Sequence, residues 1–277
     1  NAADDSFTAL HDKISGGGDV TLLHDYNFNS ADDSGLTNGI TISKSKTITG
    51  NNIVIDAKNQ ARIFNIASGC TVTLNGITFI NGNANGDGGA IYSAGTLTMN
   101  NCKFEDNNAT NGGAIYFASV PGILSNMEFT RNHADGDGGA MYYHSDASGT
   151  AQSDALKQST FTDNTAGNEG GALYLWGSNG KIEGNVFTGN NATDDGGAIM
   201  IKGSNWRISN STYNSNTAIN KRGGAIYLED AHYSYIDGCS FDDNVAGTNG
   251  GAIDWHGSAD HGNVMSSNFT HNIAKRS

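Results

Sequence analysis

Residues 158–202 read QSTFTDNTAGNEGGALYLWGSNGKIEGNVFTGNNATDDGGAIMIK and contain two short phrases, each of them twice. The first phrase is Gly-Gly-Ala followed by an apolar residue, and along the chain it starts at Gly88, Gly112, Gly138, Gly170, Gly196, Gly223 and Gly250. The second is Phe-x-x-Asn-x-Ala, with Tyr replacing Phe once, and it starts at Phe104, Phe129, Phe161, Phe187, Tyr213, Phe241 and Phe269. Two phrases in constant phase indicate a repeat architecture.

The length and composition of the unit select the fold. Successive Gly-Gly-Ala phrases start 24, 26, 32, 26, 27 and 27 residues apart. Each unit contains three short segments rich in Thr, Ile, Val and aromatic residues, separated by Gly, Asn and Asp, which is typical of short strands and turns. Leucine-rich, helical and propeller repeats need other periods or spacings. We therefore predict an all-β fold, a right-handed parallel β-helix (solenoid) of roughly ten coils.

Alignment of the coils on the Phe column predicts the core. Five residues before that column stand Leu74, Met99, Leu124, Leu156, Ile182, Ile208, Ile236 and Val264. After Gly-Gly-Ala stand Ile91, Ile115, Met141, Leu173, Ile199, Ile226 and Ile253. Coils stack about 4.8 Å apart, so each of these three apolar columns forms a ladder inside the solenoid. Their burial, worth roughly 25 cal/mol per Å² of apolar surface, dominates the predicted stability.

Three further residue types are expected to be structural. The Asn of the second phrase is expected to take a left-handed conformation at a turn and to donate to the adjacent coil. The Gly-Gly pair is expected where the backbone needs a positive φ or a close approach. Cys102 and Cys239 fall in one column but five coils apart, about 24 Å, and Cys70 lies elsewhere on its coil, so we expect three reduced cysteines.

The two ends of the chain differ from the repeats. Residues 1–18 are predicted to form an N-terminal capping helix, because Phe7, Leu10 and Ile14 share one helical face, Ser6 suits an N-cap and three glycines follow. Residues 19–277 are predicted to be the parallel β-helix. The last repeat finishes at Ala274 with no cap behind it, so we expect a fragment of a longer surface protein.

Charge restricts the class of partner. The formal net charge is −13, from 28 acidic and 15 basic residues. Nucleic-acid binding is not expected, because it needs a basic surface. No run of about 18 apolar residues occurs, so we expect no direct membrane insertion of this chain. We expect the domain to be monomeric.

The two phrases together resemble the repeats of chlamydial polymorphic outer-membrane proteins, which are autotransporter adhesins. Residues 47–82, TITGNNIVIDAKNQARIFNIASGCTVTLNGITFING, resemble the adhesin-like surface proteins of methanogenic archaea. The resemblance covers nearly the whole chain from about residue 17, and its first coil departs from the pattern at Gly82. It implies a large, anchored, extracellular attachment factor whose partners are glycans or proteins on the surface of another cell. It specifies no ligand.

The residue after each inward aliphatic is predicted to point outward. This column gives a candidate ligand-binding face, made of Tyr92, Tyr116, Tyr142, Tyr174 and Tyr227 with Trp176 and Trp255 nearby. Flat aromatic rows suit sugar rings or a partner protein. The alternative interpretation is structural, since Tyr favours strands and a column shifted in phase would be half-buried.

The residue before each Gly-Gly pair forms an acidic column. Asp137, Glu169 and Asp195 would stack at the spacing of the coils, and like charges so close are unfavourable. A calcium ion held by these three residues would relieve the repulsion, and no other cofactor is expected. Solvation together with Arg222 is the alternative. The longest insert, His144 to Lys157, is a candidate contact loop or a neutral insertion.

A polysaccharide lyase or glycoside hydrolase is the rival interpretation. Hydrolysis needs two carboxylates at a set separation, and Asp163 with Glu105 or Asp106, or Asp242 with Asp243, supply candidate pairs. We favour a binding domain without a catalytic residue, because enzymes of this fold interrupt their repeats to build a cleft and these repeats stay regular. A passive structural stalk is the third hypothesis.

Overall fold

The computed structural model describes residues 3–144, 156–258 and 260–276. It confirms the predicted fold, a right-handed parallel β-solenoid of about nine turns with one α-helix near the N-terminus. Among the described residues all pairings between strands are parallel, and each strand pairs with its counterpart in the adjacent coil, 24 to 32 residues away. The repeat of the sequence is therefore the repeat of the structure.

Three sheets form the walls. The long sheet has 18 strands: Val20–Thr21, Tyr26–Asn27, Lys46–Asp56, Thr71–Ile80, Thr96–Asn100, Lys103–Glu105, Leu124–Ser125, Glu128–Thr130, Leu156–Lys157, Thr160–Thr162, Lys181–Glu183, Val186–Thr188, Arg207–Ser209, Thr212–Asn214, Tyr235–Asp237, Ser240–Asp242, Asn263–Met265 and Asn268–Thr270. The tyrosine sheet has nine: Ile40–Ile42, Phe64–Ile66, Ile91–Ser93, Ile115–Phe117, Met141–His144, Leu173–Trp176, Ile199–Lys202, Ile226–Glu229 and Ile253–His256. The short sheet has seven: Asn108–Ala109, His133–Ala134, Thr165–Ala166, Asn191–Ala192, Thr217–Ala218, Val245–Ala246 and Ile273–Ala274.

The core consists of the three predicted ladders. From Phe79 to Phe269 the aromatic rings stack on each other, with centroids 4.7–5.0 Å apart and planes within 2–12°. The two aliphatic columns are buried from the first marked coil to the coil of Ile236. Because each side chain meets its own equivalent in the next coil, one residue type fits every position of a column.

The asparagine column forms a hydrogen-bonded ladder inside the turn that follows the Phe column. Asn164 Nδ2 donates to Asn190 Oδ1 and to the carbonyl of Phe129, each at 3.0 Å. Its Oδ1 accepts from Asn132, at 3.0 Å from the backbone nitrogen and 2.9 Å from Nδ2. The same pattern links each asparagine of the column to the next. These side chains satisfy buried backbone groups that the turn leaves unpaired.

The expected conformation of this asparagine was wrong. The left-handed residue is the one before it, for example Asp163 with φ 54° and Arg131 with φ 52°. The column is therefore selected by its side-chain hydrogen bonds, whereas the left-handed position accepts several residue types. The Gly-Gly prediction is confirmed: Gly170 has φ 65°, and a Cβ on Gly171 would lie 2.0 Å from the carbonyl oxygen of Gly197.

The three cysteines are free and buried, as predicted. Burial raises the pKa of the Cys102 thiol to about 11, so it stays protonated and unreactive near neutral pH.

The capping helix α1 spans Phe7–Ile14. Ser6 caps it by accepting from the backbone nitrogen of Ala9, and Phe7, Leu10 and Ile14 are buried against the first coil, as predicted. The buried carboxylate of Asp33, beside a 3₁₀-helix at Ser34–Leu36, also accepts from the backbone nitrogen of Phe7 at 3.0 Å. In the described part of the chain, no helix is long and apolar enough to cross a bilayer.

Candidate ligand-binding face

The tyrosine column stands on the outer side of the tyrosine sheet. Tyr92, Tyr116, Tyr142 and Tyr174 pair in register along consecutive strands. Their ring centroids are 5.3, 5.0 and 4.7 Å apart, and the ring planes lie within 5–7° of each other. Each ring face is therefore covered by the next ring, and the column presents ring edges outward. A flat platform on which a sugar ring could stack is not formed by these tyrosines.

Burial increases along the column. Tyr92, Tyr116 and Tyr142 are half-buried, but Tyr174 is 7% exposed and Tyr227 is 2% exposed. These two pack with Met200 into a small apolar cluster outside the main core. Burial raises the pKa of both hydroxyls, which stay protonated. The half of the column nearer the N-terminus is thus the accessible half.

The two tryptophans lie on opposite sides of the sheet. Trp176 stands outward next to the tyrosine column, with one ring face stacked on His144 at 3.9 Å and Lys202 Nζ 4.7 Å from its centroid. Trp255 pairs in register with Leu228 on the inward column and packs against the core. We expected Trp255 on the outer face, and this prediction was wrong, because alternation along the strand puts Asp254 outside and Trp255 inside.

The acidic column forms its own ladder beside the tyrosines. In two of its three acids, one carboxylate oxygen accepts the backbone N–H of the equivalent residue in the next coil: Asp137 Oδ1 accepts from Glu169 N at 3.0 Å, and Asp195 Oδ1 accepts from Arg222 N at 2.9 Å. Asn111 does the same for Asp137. Short acceptor side chains therefore recur here because they satisfy the backbone.

Glu169 is the exception in this ladder. Its carboxylate accepts no hydrogen bond from another described residue, and the backbone N–H of Asp195, its equivalent in the next coil, does not donate to it. Burial, and then the charges of Asp137 and Asp195, raise the pKa of Glu169 to about 7. The pKa of Asp137 is raised as well, again by burial. Two adjacent coils thus hold partly desolvated carboxylates next to Tyr142 and Tyr174.

The predicted calcium ligands do not form one site. Asp195 gives both carboxylate oxygens to Arg222, whose Nε and Nη2 lie 3.1 and 3.2 Å away. Ca²⁺ takes six to eight oxygen ligands, and Asp137 and Glu169 alone supply too few. The donor set therefore does not fit a Ca²⁺ ion held by all three residues.

Another group of potential ligands was not predicted. Among the described residues, Asp242, Asp243 and His271 bring three ligand atoms within 4.8 Å of one another. His271 Nδ1 lies 2.9 Å from Asp242 Oδ1, and that carboxylate raises the pKa of His271. This exposed cluster is consistent with an ion pair. The register of the Phe column, which places Asp242 opposite Thr270, is the signal that would have located it.

Some of the candidate acids for hydrolysis are already paired with other side chains. Arg131 donates from Nε and Nη2 to the two oxygens of Asp106, both at 2.8 Å, and lies 4.0 Å from Glu105. The bidentate contact neutralises Asp106, and Asp242 accepts from Thr270 and contacts His271. The insert at 145–155, predicted as a contact loop, lies outside the described residues.

We define the tyrosine–acid face as the outward surface of Tyr92, Tyr116, Tyr142, Tyr174 and Trp176 together with Asp137 and Glu169. A second concave surface lies on the long sheet, where the strands bend at an asparagine-rich corner, and nothing in the repeat phrases pointed to it. We call it the corner groove.

Comparison with known proteins identifies the type of repeat. Four segments, residues 101–118, 158–175, 186–202 and 238–254, match the model of the Chlamydia polymorphic membrane protein (Chlamydia_PMP) repeat. No curated protein sequence matches the chain. Among solved structures, ORF18 of Geobacillus virus E2 is similar, with 16% identity and a TM-score of 0.41; the match covers 92% of this chain and 54% of that one. This chain thus spans about half the length of that viral protein. The chain carries repeats of the Chlamydia polymorphic membrane protein type on a parallel β-solenoid.

Proposed function

We propose that this solenoid is an extracellular attachment domain, fixed to a cell surface through regions outside this chain, and that its tyrosine–acid face binds a basic protein segment on another cell. The type of repeat supports a surface protein that is adhesive or structural. The solenoid supports the same role, since its stacked coils form an extended flat surface. The resemblance to adhesins of methanogens remains a prediction.

One observation carries the choice of partner. In the coil of Tyr227, the guanidinium of Arg222 lies 4.5 Å from the ring centroid and pairs with the carboxylate of Asp195. At the other end of the column, Arg62 lies 5.5 Å from the centroid of Tyr92. An arginine side chain resting on a tyrosine of this column is therefore a geometry that the molecule itself forms twice.

The two central coils have the same tyrosines and acids without the arginine. Asp137 and Glu169 form no ion pair with a lysine or arginine of the described residues, and residues 145–155 contain neither Lys nor Arg. An incoming guanidinium or ammonium group would neutralise carboxylates that burial has partly desolvated, and it would lie beside the outward edge of Tyr142. The net charge of −13 would speed the approach of such a partner.

Removal of one charge tests the proposal. Glu169→Gln is expected to weaken binding of the domain to immobilised arginine-rich peptides, or to the partner cell, about tenfold. Glu183→Gln is the matched control, because Glu183 is an exposed carboxylate in the same coil on the long sheet. We expect no change from the control, and a loss of binding by the wild type as the pH falls below 7.

Four results would contradict the proposal. Equal weakening by both variants would show only long-range charge attraction. Binding to neutral glycans alone, unaffected by Glu169→Gln, would transfer recognition to sugars. No binding to any cell or array would support the passive stalk. Release of reducing ends from a polysaccharide would support the polysaccharide lyase or glycoside hydrolase instead. A loss of that release on mutation of Asp163 would identify Asp163 as the catalytic acid.

A further inference from the structure

The corner groove is built by a local break in the repeat. In most coils the long sheet bends at one residue with positive φ, and this corner column is Gly76, Asn101, Asn126, Gln158, Gly184, Asn210, Gly238 and Ser266. The coil of strand Lys46–Asp56 has two such residues, Asn51 with φ 46° and Asn52 with φ 66°. The register with the next strand shifts at this point, between Thr49 and Ile53. Three residues, 50–52, stand opposite Gly76 alone, and these two extra residues make the corner bulkier than those above it, so it forms one wall of the groove.

The groove has a volume of about 450 Å³ and crosses four successive coils. Five carboxamides line it, from Asn51, Asn52, Asn75, Asn101 and Asn126. On one side it is bounded by the ion pair of Lys103 and Glu128, whose Nζ and Oε2 atoms are 2.9 Å apart. Its lining is therefore polar and has no net charge.

Most of these carboxamides retain their hydrogen-bonding capacity. Asn126 Nδ2 donates to Asn100 Oδ1 at 2.9 Å, which fixes its orientation. Within the described chain, the side chains of Asn51, Asn52, Asn75 and Asn101 have no hydrogen-bond partner. This contrasts with the asparagine ladder of the core, where every amide is engaged. Each carboxamide in the groove offers two donor hydrogens and an acceptor oxygen to a ligand.

We propose that the corner groove binds a neutral, hydroxyl-rich saccharide chain. Adjacent hydroxyl groups both donate and accept, as carboxamides do, so the two sets of groups are complementary. A phosphate or uronate would lack an unpaired cation here, because Lys103 is paired with Glu128. The carboxamides recur at the spacing of the coils, about 4.8 Å, which suits a polymer with a repeating unit. This site is on a different sheet from the tyrosine–acid face and does not depend on it.

The test uses substitutions that the repeat already contains. Glycine occupies the same corner in other coils, so the double variant Asn101→Gly/Asn126→Gly removes two carboxamides and keeps the backbone conformation. Asn210→Gly is the matched control, since Asn210 is exposed at the same corner but outside the groove. Neutral, uronate and amino-sugar oligosaccharides would be screened on an array, and the ligands found would be titrated by calorimetry.

We expect the wild type to bind neutral oligosaccharides and the double variant to lose affinity at least tenfold, because each lost hydrogen bond is worth about 1 kcal/mol. Asn210→Gly should bind within about twofold of the wild type, since Asn210 lies outside the groove and its loss removes no hydrogen bond worth about 1 kcal/mol to a ligand there. The proposal is overturned if no neutral saccharide binds, if only uronates bind, or if the double variant binds as the wild type does. Glu169→Gln should leave saccharide affinity unchanged, so failure of this proposal and failure of the attachment proposal are separable.

Discussion

The substitution Asn164→Ala removes one step of the asparagine ladder in the middle of the solenoid. It deletes the two bonds donated by Nδ2, to Asn190 Oδ1 and the Phe129 carbonyl, and the two accepted by Oδ1 from Asn132. Alanine leaves two buried donors of Asn132 without their acceptor, its backbone N–H and one hydrogen of Nδ2. Each such group costs about 1–3 kcal/mol, so we expect a loss of about 4 kcal/mol in the free energy of unfolding.

Asn272→Ala provides the internal comparison. Asn272 accepts from Asn244 and donates to the carbonyl of Phe241 at 2.9 Å, but these bonds are only part-buried. Water can replace the deleted side chain there, so the expected loss is about 1 kcal/mol.

Urea denaturation followed by circular dichroism measures both variants, and hydrogen exchange at the amide of Asn132 reports the local effect. Because coils can unfold separately, the hydrogen-exchange result is the more direct measure. If Asn164→Ala were no more destabilising than Asn272→Ala, the ladder would not be a principal source of stability, and our account of the Asn column would be refuted.

Three further outcomes are expected. Glu169 has a folded-state pKa near 7, above its usual 4.5, so its contribution to stability is present below pH 4.5 and is lost as the pH rises through 7. The pKa shift of Glu169 corresponds to roughly 3 kcal/mol in the free energy of unfolding, and solvent screening of this half-buried group reduces it to about 1 kcal/mol. Glu169→Gln should therefore flatten the pH dependence of stability, measured by urea titration. Lys46 donates through Nζ to the carbonyls of Ile14 and Gly16 at the end of α1. Lys46→Met should therefore lower the free energy of unfolding by about 2 kcal/mol and expose the N-terminus to limited proteolysis. An unchanged cleavage rate would contradict this prediction. Gly171→Ala should cost about 3 kcal/mol, whereas Gly86→Ala, with no atom within 4 Å of the added Cβ, should leave the melting temperature almost unchanged.

The repeats were sufficient to predict the fold, because stacking on identical neighbours makes each column of the sequence a column of the structure. The ladders of Phe, Asn and aliphatic residues were all found in this way. The cap was predictable for a different reason: Ser6 and the spacing of Phe7, Leu10 and Ile14 are a local helical signal. Asp33 was missed, since its bond to the helix joins residues 26 positions apart.

The candidate faces were less predictable. Alternation along a strand gives the side on which a tyrosine stands but not the plane of its ring, and parallel stacking turned the expected flat row into a row of edges. The burial of Tyr227 depends on Arg222, which reaches it from the turn. One wall of the corner groove lies before the first marked repeat, where Asn51 and Asn52 have no equivalent with which to align.

The contrast between two columns has a consequence for how such a chain can diverge. At the second glycine of each pair, a Cβ would lie 2.0–2.2 Å from the next coil's backbone at Gly113, Gly139, Gly171, Gly197 and Gly224. The corner column, by comparison, already contains asparagine, glycine, glutamine and serine in one backbone conformation. Mutations at the corners can therefore accumulate one coil at a time without disturbing the neighbouring coils. A solenoid of this kind can acquire a new recognition surface by exchange of single corner residues while its framework is inherited intact.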